Sequence, residues 1–310
     1  MKSFVEYIEL TFAQLGKRES HSNVYGYARS LFALSTLFTL LFNDNSVLFP
    51  KNIEANNGLL IQSTLREINL FWLLQENLLI AKFIAITILV FVLIGIYPKL
   101  TVIPHWWISS SFLLSCKAIE GGDQLIAILT LLFIPIGLTD SRKWHWSIVN
   151  YSEKAYSHGR FVLNSFYIVI RIQIFILYLQ AFIGKLSVSE WVDGTVLYYW
   201  FEDNIFGLNE SFRPYVFPVL ENYFVISALT YSVLIVELTL ALVLVMKFEK
   251  RRPLLILGVI FHLFIWFIHG LPTFFITMCG ALVIYIVPFY KNINLEKSAA
   301  IIFKNEPMNT

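Results

Sequence analysis

The sequence predicts an all-α, polytopic transmembrane helical bundle of about eight spans with both termini cytoplasmic, and three observations carry that expectation. The chain is 57% hydrophobic and 14% charged over 310 residues, with a mean hydropathy of +0.67. That balance leaves too little polar surface for a domain that faces water. Apolar runs long enough to cross a bilayer recur almost from end to end. Lysine and arginine gather in alternate loops between those runs, as they do in multi-pass proteins of a cell membrane.

A spanning helix needs roughly 20 apolar residues, fewer where it leans on neighbours. Eight segments qualify: Asn23 to Phe42, Leu78 to Tyr97, Val102 to Ile119, Gln124 to Leu138, Val162 to Ile183, Tyr223 to Met246, Leu254 to His269 and Thr273 to Phe289. The third is rich in serine and tryptophan and the fourth is short, so these two are the weakest.

Orientation follows from the loops. If the chain starts inside, 15 lysines and arginines fall in cytoplasmic segments and six at the outer side, with Arg29 and Arg171 inside spans. The excess alternates correctly through every loop. The outer loop after the fifth span is acidic and aromatic, with Glu190, Asp193, Trp191, Tyr198, Tyr199 and Trp200, and predicts a helix resting on the membrane surface. Ser189 is the expected N-cap, with Glu190 in the first turn.

The expected domain plan is simple. Residues 1–22 form an interfacial segment in which Phe4, Ile8, Phe12 and Leu15 recur at helical spacing among charges, as an amphipathic helix would. Residues 23–290 form the transmembrane domain, and residues 291–310 a cytoplasmic tail. No cleavable signal is visible, so the first span is expected to target the chain. Cys116 and Cys279 both lie in apolar runs and have no disulfide or metal spacing. The lipid bilayer is an expected partner, and no nucleic acid is.

Ionisable groups at membrane depth are costly and need a partner, water or a route to the headgroups. Arg29, Arg171, Glu237 and His262 are the cases here. Arg171, Tyr178 and Lys185 are spaced by seven and share one helix face, but about 21 Å of axis separates the two cations. Lys185 either snorkels to the interface or is partly desolvated, a state that suits a base or nucleophile. Arg29 either snorkels inward or pairs with a buried acid. Glu237 is too deep to reach water easily and is expected to be protonated, paired with an arginine, or turned to a polar cavity. His262 and His269 are one heptad apart, whereas metal-binding pairs favour a gap of four with a nearby acid, so no metal site is expected. Gly121-Gly122-Asp123 makes either a tight turn where the backbone can approach a ligand, or a start for the fourth helix capped by Asp123.

Several segments together resemble the bacterial sporulation-delaying protein B family. They are Asn23-Val24-Tyr25-Gly26-Tyr27-Ala28-Arg29-Ser30-Leu31 continuing to Asn43, Pro104-His105-Trp106-Trp107 with Ser109 to Ser111, the Gly121-Gly122-Asp123-Gln124 turn, and Leu138-Thr139-Asp140 through Lys143-Trp144-His145-Trp146. The resemblance is collinear over most of the chain. It places the chain in the HTTM group of membrane domains, with the membrane part of vitamin K-dependent gamma-carboxylase. Phe182-Ile183-Gly184-Lys185-Leu186 and Gly258-Val259-Ile260-Phe261-His262 resemble segments of that wider group. The resemblance makes Lys185 the counterpart of the carboxylase base linked to quinol oxygenation. A single lysine stands here where the carboxylase has two, and the carboxylase's large lumenal domain has no counterpart, which speaks against carboxylation itself.

What the resemblance implies is a membrane component that matures or produces an exported antimicrobial peptide toxin. Its expected partners are the toxin precursor peptide and a small protein of the same system. Lys185 is then the candidate catalytic base, and Arg29, Gly121, Gly122, Asp123, Arg171, Tyr178, Glu237 and His262 shape a pocket. The alternatives are a non-catalytic export or assembly platform, and a quinone- or lipid-linked membrane enzyme. The sequence names no cofactor. A transporter is disfavoured because no inverted repeat or matched pair of interrupted helices is visible.

Overall fold

A computed structural model of the chain describes residues 15–16, 21–50, 65–147, 157–204, 206–247, 250–289 and 293. Eight long helices lie where the sequence places them: α1 (Asn23–Phe42), α2 (Leu78–Ile94), α3 (Pro98–Ser115), α4 (Gly121–Leu138), α5 (His158–Lys185), α6 (Tyr223–Leu242), α7 (Arg252–His269) and α8 (Pro272–Ile286). No strand occurs among the described residues, so the chain is an all-α bundle. Six of the eight, α1, α2, α4, α5, α6 and α7, are long and apolar enough to cross a membrane. α8 is apolar but shorter, and α3 is diluted by its serines, histidine and prolines.

Local chemistry explains the helix ends. Ser22 caps α1 by accepting the Val24 amide at 3.2 Å, and Asn222 caps α6 by accepting that of Phe224 at 3.0 Å. α3 begins at Pro98, four residues before the expected start and also ends four residues early. Proline at the first helical position has no amide to leave unpaired and a backbone angle already suited to a helix. α2 closes on Gly95 in the left-handed region, φ 91°.

α1 is apolar on opposite faces and is therefore the helix about which the others pack. Ala28 and Phe32 join Phe133 of α4 and Met278, Ala281 and Tyr285 of α8 in one core. Ala33, Leu37 and Leu40 join Ala81, Ala85 and Leu89 of α2 and Ile108 and Phe112 of α3 in a second. Alanines four apart let α2 come close. Gly280 of α8 faces Phe32, where an added Cβ would lie 2.8 Å from the ring. α7, by contrast, fully buries only Gly258 and His262; Leu254, Leu255, Val259 and Phe261 pack against the core, while Ile256, Ile260, Phe264 and Phe267 face outward, as on a lipid-facing helix.

The segment between α5 and α6 differs from expectation. Instead of one surface helix it holds three short ones, Ser189–Val192, Val196–Glu202 and Arg213–Leu220. Ser189 is the first helical residue and not the cap. Val188 holds that position, and the Ser189 hydroxyl donates instead to Glu190 Oε2 at 2.9 Å. Trp191, Val196, Leu197, Phe201, Leu208 and Leu220 pack on Ile226 and Leu234 of α6 as a third core. Trp191 and Phe201 thus fold against the bundle, while Tyr199 and Trp200 stay exposed.

Of the N-terminal amphipathic pattern, Phe4, Ile8 and Phe12 lie outside the described residues. Leu15 is buried, and its carbonyl accepts from Asn164 Nδ2 of α5 at 3.1 Å. The tail beyond residue 293 also lies outside them.

Candidate functional site

α5 ends where it meets α6. Lys185 Nζ donates to Glu237 Oε1 at 2.7 Å, and the two side chains are 19% and 9% exposed. Nζ also lies 5.2 Å from the centre of the Trp191 ring, so a cation–π contact closes the pair from the side of the short helices. Glu237 stands fourteen residues into α6, about 21 Å from the Tyr223 end at 1.5 Å per residue. The first half of α6 is covered by the short helices: Tyr231 donates to the Val192 carbonyl at 2.8 Å, and an added Cβ on Gly194 would touch Ser227 at 2.9 Å. The pair is therefore recessed beneath this folded segment.

Two turns back along the same face of α5, Tyr178 shares a 3.2 Å hydrogen bond with His262 Nε2 of α7. His262 Nδ1 and Glu237 Oε2 are buried without partners. An imidazole nitrogen and a carboxylate oxygen with unused hydrogen-bonding capacity are groups that can exchange protons with a bound molecule. The His262 ring stacks on Phe274 of α8 at 5.7 Å, and Phe274 lies 3.8 Å from where a Cβ of Gly121 would be. Tyr178, His262, Phe274 and the glycine turn thus form one line of neighbours through α5, α7, α8 and α4, and the Lys185–Glu237 pair lies two turns further along the same face of α5.

At that turn Asp123 does not cap α4. Glu120 is the cap residue, and Asp123 sits at the third helical position, where Oδ2 accepts the Glu120 amide at 3.0 Å. A side chain one residue inside a helix cannot reach its own first amides, whereas one at the third position reaches back. Asp123 Oδ1 is buried and unpartnered. Gly122 lets Thr277 of α8 approach, since an added Cβ would lie 3.3 Å from its hydroxyl. Thr277 in turn donates to Ser35 at 2.9 Å. Burial pushes the Glu120 carboxyl up from the usual carboxylate range.

Arg171 is not part of this group. Its Nε donates to the Tyr285 carbonyl at 3.2 Å, and its guanidinium lies over Tyr167 and Tyr285 at 5.7 and 5.9 Å. It is held near the end of α8, where carbonyls carry partial negative charge.

Two expectations are corrected, and one loop cation proves to be buried. Glu237 is paired with a lysine, not an arginine. Arg29 neither snorkels nor meets an acid: it is 0% exposed and its one hydrogen bond runs from Nη2 to Thr101 Oγ1 at 2.8 Å. Arg142, counted among the loop cations, is buried and bound through Nε and Nη2 to both oxygens of Asp140 at 2.9 and 2.7 Å. Trp191, Phe274 and Glu120 were not singled out as site residues. An aromatic after a loop turn carries no spacing signal for the helix it will cover. His262 and His269 each take separate partners, His269 Nδ1 donating to the Phe206 carbonyl at 2.6 Å. Among the described residues no three histidine, cysteine or acidic side chains group as metal ligands would.

Fold and site together define a polytopic helical membrane protein with a recessed lysine–glutamate pair. The chain is 36% identical over 287 residues to uncharacterized protein YitO of Bacillus subtilis, covering 92% of this chain and 91% of that one. It is also 36% identical over 280 residues to sporulation-delaying protein SdpB of the same organism, covering 88% of this chain and 84% of that one. The chain therefore belongs to the SdpB family. No family model matches it, and no solved structure does.

Proposed function

We propose that this protein is the membrane component of a sporulation-delaying-type toxin system, needed to mature or produce an exported antimicrobial peptide. It acts from the outer side of the membrane with a small partner protein. The observation that carries the reading is the relationship to SdpB along nearly the whole chain, joined to a recessed pair whose approach is lined by the segment between α5 and α6. The charge asymmetry of the loops supports eight spans with cytoplasmic termini, which puts that segment outside.

In this reading Lys185 and Glu237 work as one acid–base unit. The ion-paired ammonium has no lone pair. Transfer of one proton to Glu237 leaves a neutral amine beside a carboxylic acid, and the amine can then act on the precursor. Trp191 and Phe274 exclude water, while Tyr178 and His262 orient the partner groups. The mass of the secreted peptide with and without this protein tests the reading directly. A precursor of unchanged mass, amount and toxicity in the deletion strain overturns it. Lys185→Arg keeps the charge but loses a readily shared proton, and processing by that variant at the wild-type level removes the base role.

One observation favours a second reading, a non-catalytic platform for export or assembly. The segment between α5 and α6 builds an apolar cluster of its own while leaving Tyr199, Trp200, Phe206, Phe212 and Tyr215 exposed, an aromatic surface suited to a docking peptide. Under that reading substitutions at these aromatics abolish co-purification of the partner, and Lys185→Arg is silent.

A further inference from the structure

A second polar centre lies at the other end of the bundle and the proposed function does not use it. Arg29 of α1 is fully buried, and its Nε and Nη1 have no hydrogen-bond partner. An arginine side chain stays protonated in proteins, so burial cannot be relieved by loss of the proton. A buried charge without a counter-charge is among the costliest features a fold can carry.

Among the described residues around it none supplies a free anion. Tyr25 lies beneath the guanidinium, its ring centre 5.9 Å from Cζ, with its hydroxyl buried and unpartnered. His105 of α3 and His145 of the segment after α4 are within electrostatic reach of Arg29 and of the neighbouring charges. His105 Nε2 is buried and unpartnered. Asp140 is also within reach, but both its oxygens are bound to Arg142. Two guanidinium groups and one carboxylate leave one positive charge uncompensated.

Hydrogen bonding places a proton on Nε2 of His145. Ser30 has one hydroxyl proton and donates it to the Leu93 carbonyl at 2.9 Å, so at 3.2 Å it accepts from His145 Nε2–H. Burial beside Arg29 and Arg142 disfavours a second proton on the ring, so Nδ1, buried without a partner, is a bare acceptor. Donors and one lone pair therefore stand open in the same buried region.

We propose that Arg29, with Tyr25, His105 and His145, forms a binding site for one small monovalent anion that serves as the counter-charge of the guanidinium. The open N–H groups on Nε and Nη1 of Arg29 and the Tyr25 hydroxyl donate to it. A halide satisfies these donors alone. An oxyanion that carries a proton, such as hydrogencarbonate, satisfies them and also donates to the lone pair of His145, so it binds more tightly.

Thermal melting of the full-length protein in detergent tests this, with sodium gluconate replaced stepwise by chloride, hydrogencarbonate or phosphate at constant ionic strength. Wild type is expected to melt about 5 °C higher once a small anion is in roughly hundredfold excess over its midpoint, with hydrogencarbonate saturating at the lowest concentration. Arg29→Gln is expected to lose the rise. Wild-type melting that is the same in every salt overturns the proposal, as does a rise that survives in Arg29→Gln. If that variant does not fold, His105→Gln keeps the guanidinium while changing the wall beside it. Its midpoint is expected to move by about fivefold, about 1 kcal/mol of binding, and an unmoved midpoint overturns the site as described.

Discussion

Lys185 and Glu237 meet at 2.7 Å across α5 and α6, and among the described residues neither has another ion-pair partner. Removing one member leaves the other charge buried and alone. Glu237→Ala is expected to cost about 3 kcal/mol of stability, and the double variant Lys185→Met with Glu237→Leu to recover most of it. Denaturation in detergent measures both. Peptide maturation is expected to be lost in the double variant although its fold is restored, which separates the pair's chemistry from its structural part. Wild-type maturation in the refolded double variant would sink the acid–base unit.

Tyr178 binds His262 at 3.2 Å with both side chains buried. Tyr178→Phe keeps the ring in place on Tyr285 and removes one hydrogen bond. About 1 kcal/mol of destabilisation is expected. His262→Phe is expected to cost more, because it strands the buried Tyr178 hydroxyl and also puts a larger ring beside Phe261 and Phe274. Melting temperatures of the two variants check the order.

The Asp140–Arg142 pair is more deeply buried than Lys185–Glu237, at 0% and 4% side-chain exposure. Arg142 Nη1 also donates to the carbonyls of Ser22 and Ser147 at 3.3 and 2.9 Å, so the pair ties the segment after α4 to the start of α1. Asp140→Asn is expected to cost about 3–5 kcal/mol and to lower the amount of protein in membranes. Immunoblotting of membrane fractions with and without a protease inhibitor would read that loss.

Acid is expected to destabilise the protein through His145. Burial, reinforced by Arg29 and Arg142, pushes its imidazole down to about 2. Burial also holds His21 below its ordinary value, against the opposing pull of Asp140. The folded rings therefore stay neutral while those of the unfolded chain take up protons below about pH 6.5. Stability is full above that value and falls with acid, by about 1.4 kcal/mol per pH unit for His145 once the unfolded ring is protonated. His145→Gln is expected to flatten the profile of melting temperature between pH 6.5 and 5, as assessed relative to wild type.

Gly280 brings α8 against α1, where Phe32 fills the space a side chain would need. Gly280→Val is expected to cost about 1–3 kcal/mol through overpacking, whereas Gly184→Ala, with open space around it, is expected to be neutral or slightly stabilising. The same melting assay distinguishes them.

Much of this architecture is legible from local pattern. Apolar runs bounded by Ser22, Gly95, Asn222 and Gly270 locate eight helices, because caps and breakers act within a few residues of themselves. α3 shows the limit: Pro98 and Lys99 look like loop, yet proline is an ordinary first residue of a helix. The one-face spacing of Tyr178 and Lys185 is equally local and places both in the candidate site.

Partners were not legible. Glu237 lies 52 residues from Lys185, and Tyr178 lies 84 from His262; nothing in periodicity says which helix packs beside which. Arg29 illustrates the difference most sharply. Its place inside a span is a matter of composition, and marks it as costly wherever the helix goes. Among the described residues it meets no free acid, because both oxygens of Asp140 are bound to Arg142, an outcome decided between side chains brought together from α1 and the segment after α4. Hydropathy acts along one helix and so can be read along the chain, while the pairing of buried charges depends on which helices meet and becomes definite only when the bundle is packed.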